Sequence, residues 1–355
     1  MQLLVLAAGE GKRFKPIVTS KPLLPFLGKT LLEWVVESAS MLKPDQTVIV
    51  VNPRDKETVA RLFPKAKIAI QAKPNGMAGA VLASRSNLVG PTVVVNGDDW
   101  LGSEIFEQFT KQIKKSPDQL VLTGVKSKPG QSGGYFDLQG PTLQVVEKPE
   151  RKPSEWFKIV LDYFPKIEEF FTQLKDDYED GLNKLENSVL VKTSGEFYQL
   201  KYPWQVLDLT EAFLRTLKGK SLIRKTAKVF PGANIINSYI GSRVIIGHNA
   251  LVRDSIIEAG SIVGYNTEIA RSYVGQNNYF HSNYIGDSVI EGGSNFGAGA
   301  VLANFRFDHQ PIAGTGRDKF GAVVGRGAQV GVNASVMPGV MLGAGSTVWP
   351  GVVRK

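Results

Sequence analysis

The sequence predicts an α/β doubly wound domain followed by an all-β left-handed parallel β-helix. Three observations carry this reading. At 355 residues the chain exceeds what one hydrophobic core usually serves. Through about residue 200, short β-branched runs alternate with longer amphipathic stretches, the pattern of a parallel sheet wrapped by helices. From Val229 onward the chain becomes dense in Gly, Asn, Ser and aliphatics, which recur with a six-residue period.

In the first half, strands are expected over 3–7, 47–51, 92–95 and 120–125, and helices over 31–41, 56–63, 78–88 and 103–115. A further helix is expected over 204–217. The domains are therefore taken as 1–217 and 229–355, with a Lys- and Arg-bearing junction at 218–228. In the repeat, aliphatic anchors fall at Ile240, Ile246, Val252, Ile257, Val263 and Ile269, and again at Val324, Val330, Val336, Leu342 and Val348. Small residues such as Ala250, Ser255, Thr267, Ala328, Ala334 and Ser346 fill the companion positions. Such hexads build a triangular prism in which each set of six makes one side and the aliphatic points inward. Pro, Gly, Asp and Arg interrupt the period over 304–320, which a solenoid tolerates only as a loop leaving one edge.

Composition narrows the class. No apolar run approaches the roughly 18 residues a membrane helix needs, and the opening MQLLVLAAGEGKRF reads as a buried strand rather than a signal peptide. With no cysteine there is no disulfide, thiolate nucleophile or Cys-based zinc site, so the cytoplasm is the expected location. The net charge of +9 suits anionic partners. Its dispersal along the chain argues against nucleic acid, and no membrane partner is expected.

The segment LAAGEGKRFKP follows the first predicted strand directly. Gly9 and Gly11 permit close backbone approach, so successive N–H groups can face a phosphate, while Lys12, Arg13 and Lys21 supply counter-charge. Together with SKPLLPFLGKTLLEW, this segment resembles the signature of the sugar-1-phosphate nucleotidyltransferase family. The resemblance implies transfer of a nucleoside monophosphate from a triphosphate, UTP being the one expected, onto a sugar 1-phosphate. It implies nucleotide contacts at Ala8, Gly9, Gly11, Lys12, Gln71 and Gly76, catalytic roles for Arg13 and Lys21, and Mg2+ on Asp98 in VVVNGDD. Gly134, Glu147 and Lys148, in GGYF and VVEKP, match the sugar-contacting positions. By themselves, Asp98 and Asp99 suit a turn and helix cap better than a metal site, and Lys21 also suits a solvated surface. Two departures stand out. Trp156, Phe157 and Lys158 replace an Asn-Ala-Gly segment, and Gln199 stands where relatives carry a second metal-binding residue ahead of Pro203 and Trp204. Glutamine offers a neutral oxygen where a carboxylate would offer charge.

FHSNYIGDSVIEGGSNFGAGAVLANFRFD resembles the acetyl-transfer segment of bifunctional glucosamine-1-phosphate N-acetyltransferase and N-acetylglucosamine-1-phosphate uridyltransferase enzymes, above all their archaeal forms. That implies His281 as general base, Tyr284 and Asn304 as sugar contacts, and acetyl-coenzyme A along the later coils near Ala322, Arg326 and Ala334. Gln310 and Ala313 stand where those relatives carry lysines. The other two histidines, His248 and His309, read as solvated. The resemblance also implies a homotrimer. Two alternatives stay open: a nucleotidyltransferase for another hexose 1-phosphate with a structural β-helix, and a catalytically silent sugar-nucleotide-binding subunit.

Overall fold

The computed structural model describes residues 1–128, 130–312 and 314–355, and its chain divides into two compact units. The first comprises Met1–Glu10 and Leu31–Gln199; the second comprises Gly11–Thr30 and Leu200–Lys355. This division differs from a cut at 217. The helix expected over 204–217 and the segment Gly11–Thr30 both pack with the β-helix.

In the first unit, β1 (Gln2–Ala7) lies at the centre of a parallel set because five of its six residues are buried aliphatics, as a strand covered on both faces requires. The hairpin β2 (Pro25–Phe26) and β3 (Lys29–Thr30) belongs to the second unit. Then come α1 (Leu31–Ala39), β4 (Gln46–Val51), α2 (Lys56–Leu62), β5 (Lys67–Ile70), α3 (Gly76–Ala83), β6 (Thr92–Asn96), β7 (Asp99–Leu101), α4 (Ser103–Lys115) and β8 (Leu120–Lys126). Strands β4 and β6 flank β1 in parallel, and β5 extends β4. The expected strands and helices are all present, within a few residues at their ends. The helix expected over 78–88 stops at Ala83, where the Ser84 hydroxyl donates to the Val81 carbonyl at 2.6 Å and a 3-10 turn follows.

Past β8 the sheet turns antiparallel. It adds β9 (Gly134–Asp137), β10 (Gln144–Glu147) and β11 (Trp156–Phe164), the last running against both β6 and β8. Helices α5 (Ile167–Gln173) and α6 (Tyr178–Leu182) precede β12 (Ser188–Thr193), which pairs with β8, and β13 (Phe197–Gln199), which pairs with β7.

In the second unit, α7 (Val206–Arg215) leads into three parallel sheets of seven strands each, the arrangement of a left-handed parallel β-helix. Its coils begin at Leu222, a little before the expected Val229. Every predicted anchor from Ile240 to Val348 is at most 4% exposed, and each buried aliphatic in this column stabilises the prism by about 1.5–3 kcal/mol. The stretch where the six-residue period faded continues the same column with Val274, Phe280, Ile285, Ile290, Phe296 and Leu302. Its coil is a residue shorter, since Val274 pairs with Ile290 where Ile257 pairs with Val274. Corners adopt the left-handed conformation, at Asn249, Asn266 and Asn333 among others, which Asn tolerates better than other side chains.

Candidate active sites

Parallel strands bring their carboxyl ends to one edge, and an open α/β sheet binds ligands there. In the first unit that edge holds Ala8 and Gly9 after β1, Gln71 after β5, and Asp98 after β6. Gln71 is 8% exposed and its amide nitrogen donates to Asn75 Oδ1 at 2.8 Å and to the Gly76 carbonyl at 2.9 Å. Both of its donors are therefore engaged, and Oε1 remains as an acceptor. Gly76 has φ +79, a conformation that lets it turn into α3.

Asp98 sits half-buried in the turn between β6 and β7. The adjoining Asp99 is buried and accepts from Asn96 Nδ2 at 3.0 Å. Register places Gln199 directly opposite Asp99 across the β7–β13 pair. Among the described residues, no three acidic or histidine side chains gather into a metal cage.

Gly134, Glu147 and Lys148 come together. Glu147 faces Gly134 across the β9–β10 pair, and Lys148 Nζ reaches Glu147 Oε1 at 3.0 Å. A Cβ on Gly134 would lie 2.9 Å from Val145 Cγ1 and 3.4 Å from Lys158 Cβ, so a larger residue at this crossing would have to push Val145 aside. Beneath it Lys158 is buried, its ammonium 2.7 and 2.8 Å from the two Asp162 oxygens and 2.6 Å from the Ile159 carbonyl, while the Tyr178 hydroxyl donates to Asp162 at 2.9 Å. Burial pushes the Asp162 carboxyl up while Lys158 and Tyr178 pull it down. The Tyr178 hydroxyl is pushed well above its ordinary range by burial and by Asp162. On α6, burial raises Glu179 to about 7.

In the second unit, Gly11 adopts φ +66 and opens the turn Lys12–Phe14. The Arg13 guanidinium lies 5.9 Å from the centre of the Tyr202 ring, which is itself stacked on Trp204 at 4.7 Å. Lys21 opens a second turn, Lys21–Leu23. Phe26 anchors the segment, its ring 5.0 Å from Phe213 of α7 and 5.3 Å from Tyr273 of the coils.

On the coils, His281 occupies a corner whose backbone is held twice. Its N–H donates to Asn283 Oδ1 at 2.8 Å and its carbonyl accepts from Thr267 Oγ1 at 2.6 Å, leaving the imidazole exposed. Tyr284 begins the next strand beside Glu268, which pairs with Arg253 at 3.0 Å. Asn304 Nδ2 donates to the Asp287 carboxylate, which Arg271 grips with two bonds of 2.7 Å. Tyr284 and Asn304 meet over Gly286, where an added Cβ would lie 2.8 Å from the tyrosine hydroxyl and 2.7 Å from the asparagine nitrogen. His281 stands at the preceding corner, without a side-chain hydrogen bond to either. The Arg271–Asp287 support eluded sequence reading, because both residues hold corner positions that look like ordinary solvated surface.

The loop over 304–320 folds back through bridges of Phe305 with Lys319 and Ile312 with Arg317, and Arg317 is tied to Asp208 and Glu211 of α7. Ala313 lies outside the described residues. Ala322 and Ala334 are fully buried in the coil core, so only neighbouring backbone could meet a coenzyme there, and the Arg326 guanidinium donates to Thr19 Oγ1 at 2.6 Å. His248 packs on Phe230 and His309 on Phe305, each about 5.1 Å between ring centres.

Residues 2–189 match the family model described as nucleotidyl transferase. The bifunctional sugar-1-phosphate nucleotidylyltransferase/acetyltransferase of Sulfurisphaera tokodaii is 27% identical over 99% of this chain and 97% of its own. Bifunctional protein GlmU of Methanocaldococcus jannaschii is 26% identical over 99% of this chain and 93% of its own, and that of Methanococcus maripaludis strain S2 is 27% identical over 98% and 93%. A crystal structure from Bacillus anthracis, described as a glucose-1-phosphate thymidylyltransferase, superposes on 59% of this chain and 93% of its own, with a TM-score of 0.53 and 18% identity. That likeness speaks to the fold.

Proposed function

The chain belongs to the nucleotidyl transferase family, and from that premise we propose an enzyme of activated amino-sugar synthesis with two reactions. The first acetylates an amino sugar 1-phosphate from acetyl-coenzyme A. The second joins the product to a nucleoside monophosphate, releasing pyrophosphate. In its support, a relative named for both activities aligns with the chain nearly end to end, as does one named bifunctional protein GlmU.

The observation that carries the acetyl half is the convergence of Tyr284 and Asn304 over Gly286, one corner from His281. The sugar nitrogen attacks the thioester carbonyl, His281 takes its proton, and the coenzyme leaves as the thiolate that this proton can neutralise. Asn304, oriented by Asp287 and Arg271, holds a sugar hydroxyl. Acetyl-coenzyme A lies along the coils near Ala322, Arg326 and Ala334.

For nucleotidyl transfer, the sugar phosphate oxygen attacks the α-phosphorus and pyrophosphate departs. Backbone at Ala8, Gly9 and Gly11 and the charges of Lys12, Arg13 and Lys21 meet the triphosphate, while Gly134, Glu147 and Lys148 hold the sugar. Gln71 Oε1 accepts from a donor on the base, which uracil supplies through its ring N–H as other bases do through theirs or through an amino group, and UTP is proposed on the family resemblance. Asp98 would hold Mg2+, with Gln199 offering a neutral oxygen. The lack of an acidic cage among the described residues fits an ion held largely by substrate phosphates. When bound, that ion would neutralise charge on the phosphates.

A trimer is proposed on the row of exposed apolar side chains along the coils, Phe230, Tyr265, Val332 and Trp349, of which Trp349 is 70% exposed. No described helix is long and apolar enough to cross a membrane, and the cytoplasm is the proposed compartment.

One second reading has a specific observation behind it. Gln199 beside Asp99, and Lys158 engaged with Asp162, favour a silent nucleotidyl domain carried by a working acetyltransferase. Incubation with acetyl-coenzyme A and glucosamine 1-phosphate, reading free thiol, tests the first half; equal rates for the native protein and His281→Ala would refute it. Magnesium-dependent pyrophosphate release across a panel of triphosphates separates the two readings, because the silent domain gives none.

A further inference from the structure

The β-helix buries a glutamate that the two proposed reactions do not use. Glu291, 5% exposed, lies on a coil after Ile290, and two of its partners, Val18 and Thr19, come from more than 270 positions earlier. Oε2 accepts the Val18 N–H at 3.1 Å and the Arg326 N–H at 2.9 Å. Oε1 accepts the Thr19 N–H at 2.7 Å and the Thr19 hydroxyl at 2.6 Å, and the Arg326 guanidinium lies 3.4 Å away. A carboxylate is stable at such depth only when hydrogen-bonded and paired. Three of its bonds come from the segment Gly11–Thr30 itself, so docking of that segment and burial of the charge are one event.

The contact is close as well as polar. A Cβ on Gly325 would fall 3.0 Å from the Pro16 carbonyl oxygen, so the coil passes directly beneath the segment. Further along, the Tyr273 hydroxyl donates to the Pro25 carbonyl at 2.8 Å and Arg224 donates to the Leu27 carbonyl at 3.0 Å. Val18 and Thr19 lie between the turn that bears Lys12 and Arg13 and the turn that Lys21 opens.

We propose that Glu291 is a positioning residue for nucleotidyl transfer: its buried carboxylate clamps the Val18 and Thr19 backbone and thereby sets where Lys12, Arg13 and Lys21 stand. This rests on the nucleotidyl reading above. Positioning of charged groups is most of what phosphoryl-type transfer asks of a protein.

The test uses the full chain with Mg2+, UTP and a sugar 1-phosphate, comparing the native protein with Glu291→Ala, Thr19→Val and Thr19→Ser. Glu291→Ala is expected to lower kcat/KM for the triphosphate at least tenfold while the KM for the sugar phosphate moves less than twofold. Thr19→Val is expected to lose about threefold, and Thr19→Ser, which keeps the hydroxyl, to recover most of it. In Glu291→Ala, amide exchange should quicken at Val18 and Thr19 while Ile257 and Val263 of the coils stay protected. Unchanged kinetics in Glu291→Ala overturn the proposal while leaving nucleotidyl activity intact, and so does a loss that arrives with deprotected coils. A native protein that releases no pyrophosphate overturns the underlying reading and the positioning role with it.

Discussion

Gln199 stands directly opposite Asp99 in a two-stranded antiparallel pair, so an amide and a carboxylate share one side of the ribbon a single residue from Asp98. A carboxylate at 199 would set two negative charges face to face, which is destabilising unless a cation lies between them. Gln199→Glu is therefore expected to melt lower than the native protein without Mg2+ and to regain more than the native protein does when Mg2+ is added. Thermal melting with and without the ion measures this, and Asp98→Asn should lower magnesium-dependent pyrophosphate release at least about tenfold.

The buried pair of Lys158 and Asp162 gives a second prediction. Removing one partner alone, as in Lys158→Met, leaves a charge without compensation and is expected to cost about 3–5 kcal/mol. Replacing both by apolar residues of similar size should cost far less. Urea denaturation of the two single variants and the double variant gives the coupling directly.

Glu258 and Glu179 are both pushed by burial from 4.5 to about 7. Between those values the folded chain holds protons that the unfolded chain has released. Their contribution to stability is complete below pH 4.5 and is lost as pH rises through 7, by about 3 kcal/mol for a fully shifted group. Glu258→Gln, which keeps an acceptor for the Gly28 N–H, should flatten the fall in melting temperature between pH 5 and 8 and raise it at pH 8.

Gly286→Ala tests the acetyl site without touching a reacting group. The new methyl must displace the Tyr284 hydroxyl and the Asn304 amide, both of them side-chain ends. Acetyl transfer is expected to fall at least about tenfold, through displaced sugar contacts, while the melting temperature moves by a few degrees at most. Free-thiol release and a thermal melt distinguish this from general destabilisation.

The β-helix was legible because a period of six records one physical fact, an inward side chain on each face, and Ile240 to Val348 obey it. The signal weakened between Val274 and Leu302 because Phe280 and Phe296 stack at 4.8 Å in place of aliphatics and one coil is shorter. Strand β11 was harder to read, since Lys158 and Asp162 interrupt its apolar run and each looks solvated until the other is beside it. The segment Gly11–Thr30 was assigned to the α/β domain by its nearness to β1, yet its ties to Glu291, Tyr273 and Arg224 lie 272, 248 and 197 residues further along the chain. Periodic patterns report local repetition, and a pairing at that separation leaves no period to read.

The excursion over 304–320 leaves and rejoins the prism without disturbing it. Ile290 pairs with Val324 across the gap, and Phe296 with Val330, in the same register as the uninterrupted coils below. The coil register is thus independent of the loop, whose own anchors are Arg317 on α7 and the buried Ile312 and Phe320. A site bordered by such an excursion can be re-tailored to a different acceptor by exchanging one cassette between Asn304 and Phe320, while the coils that bear His281 and Tyr284 keep their own packing.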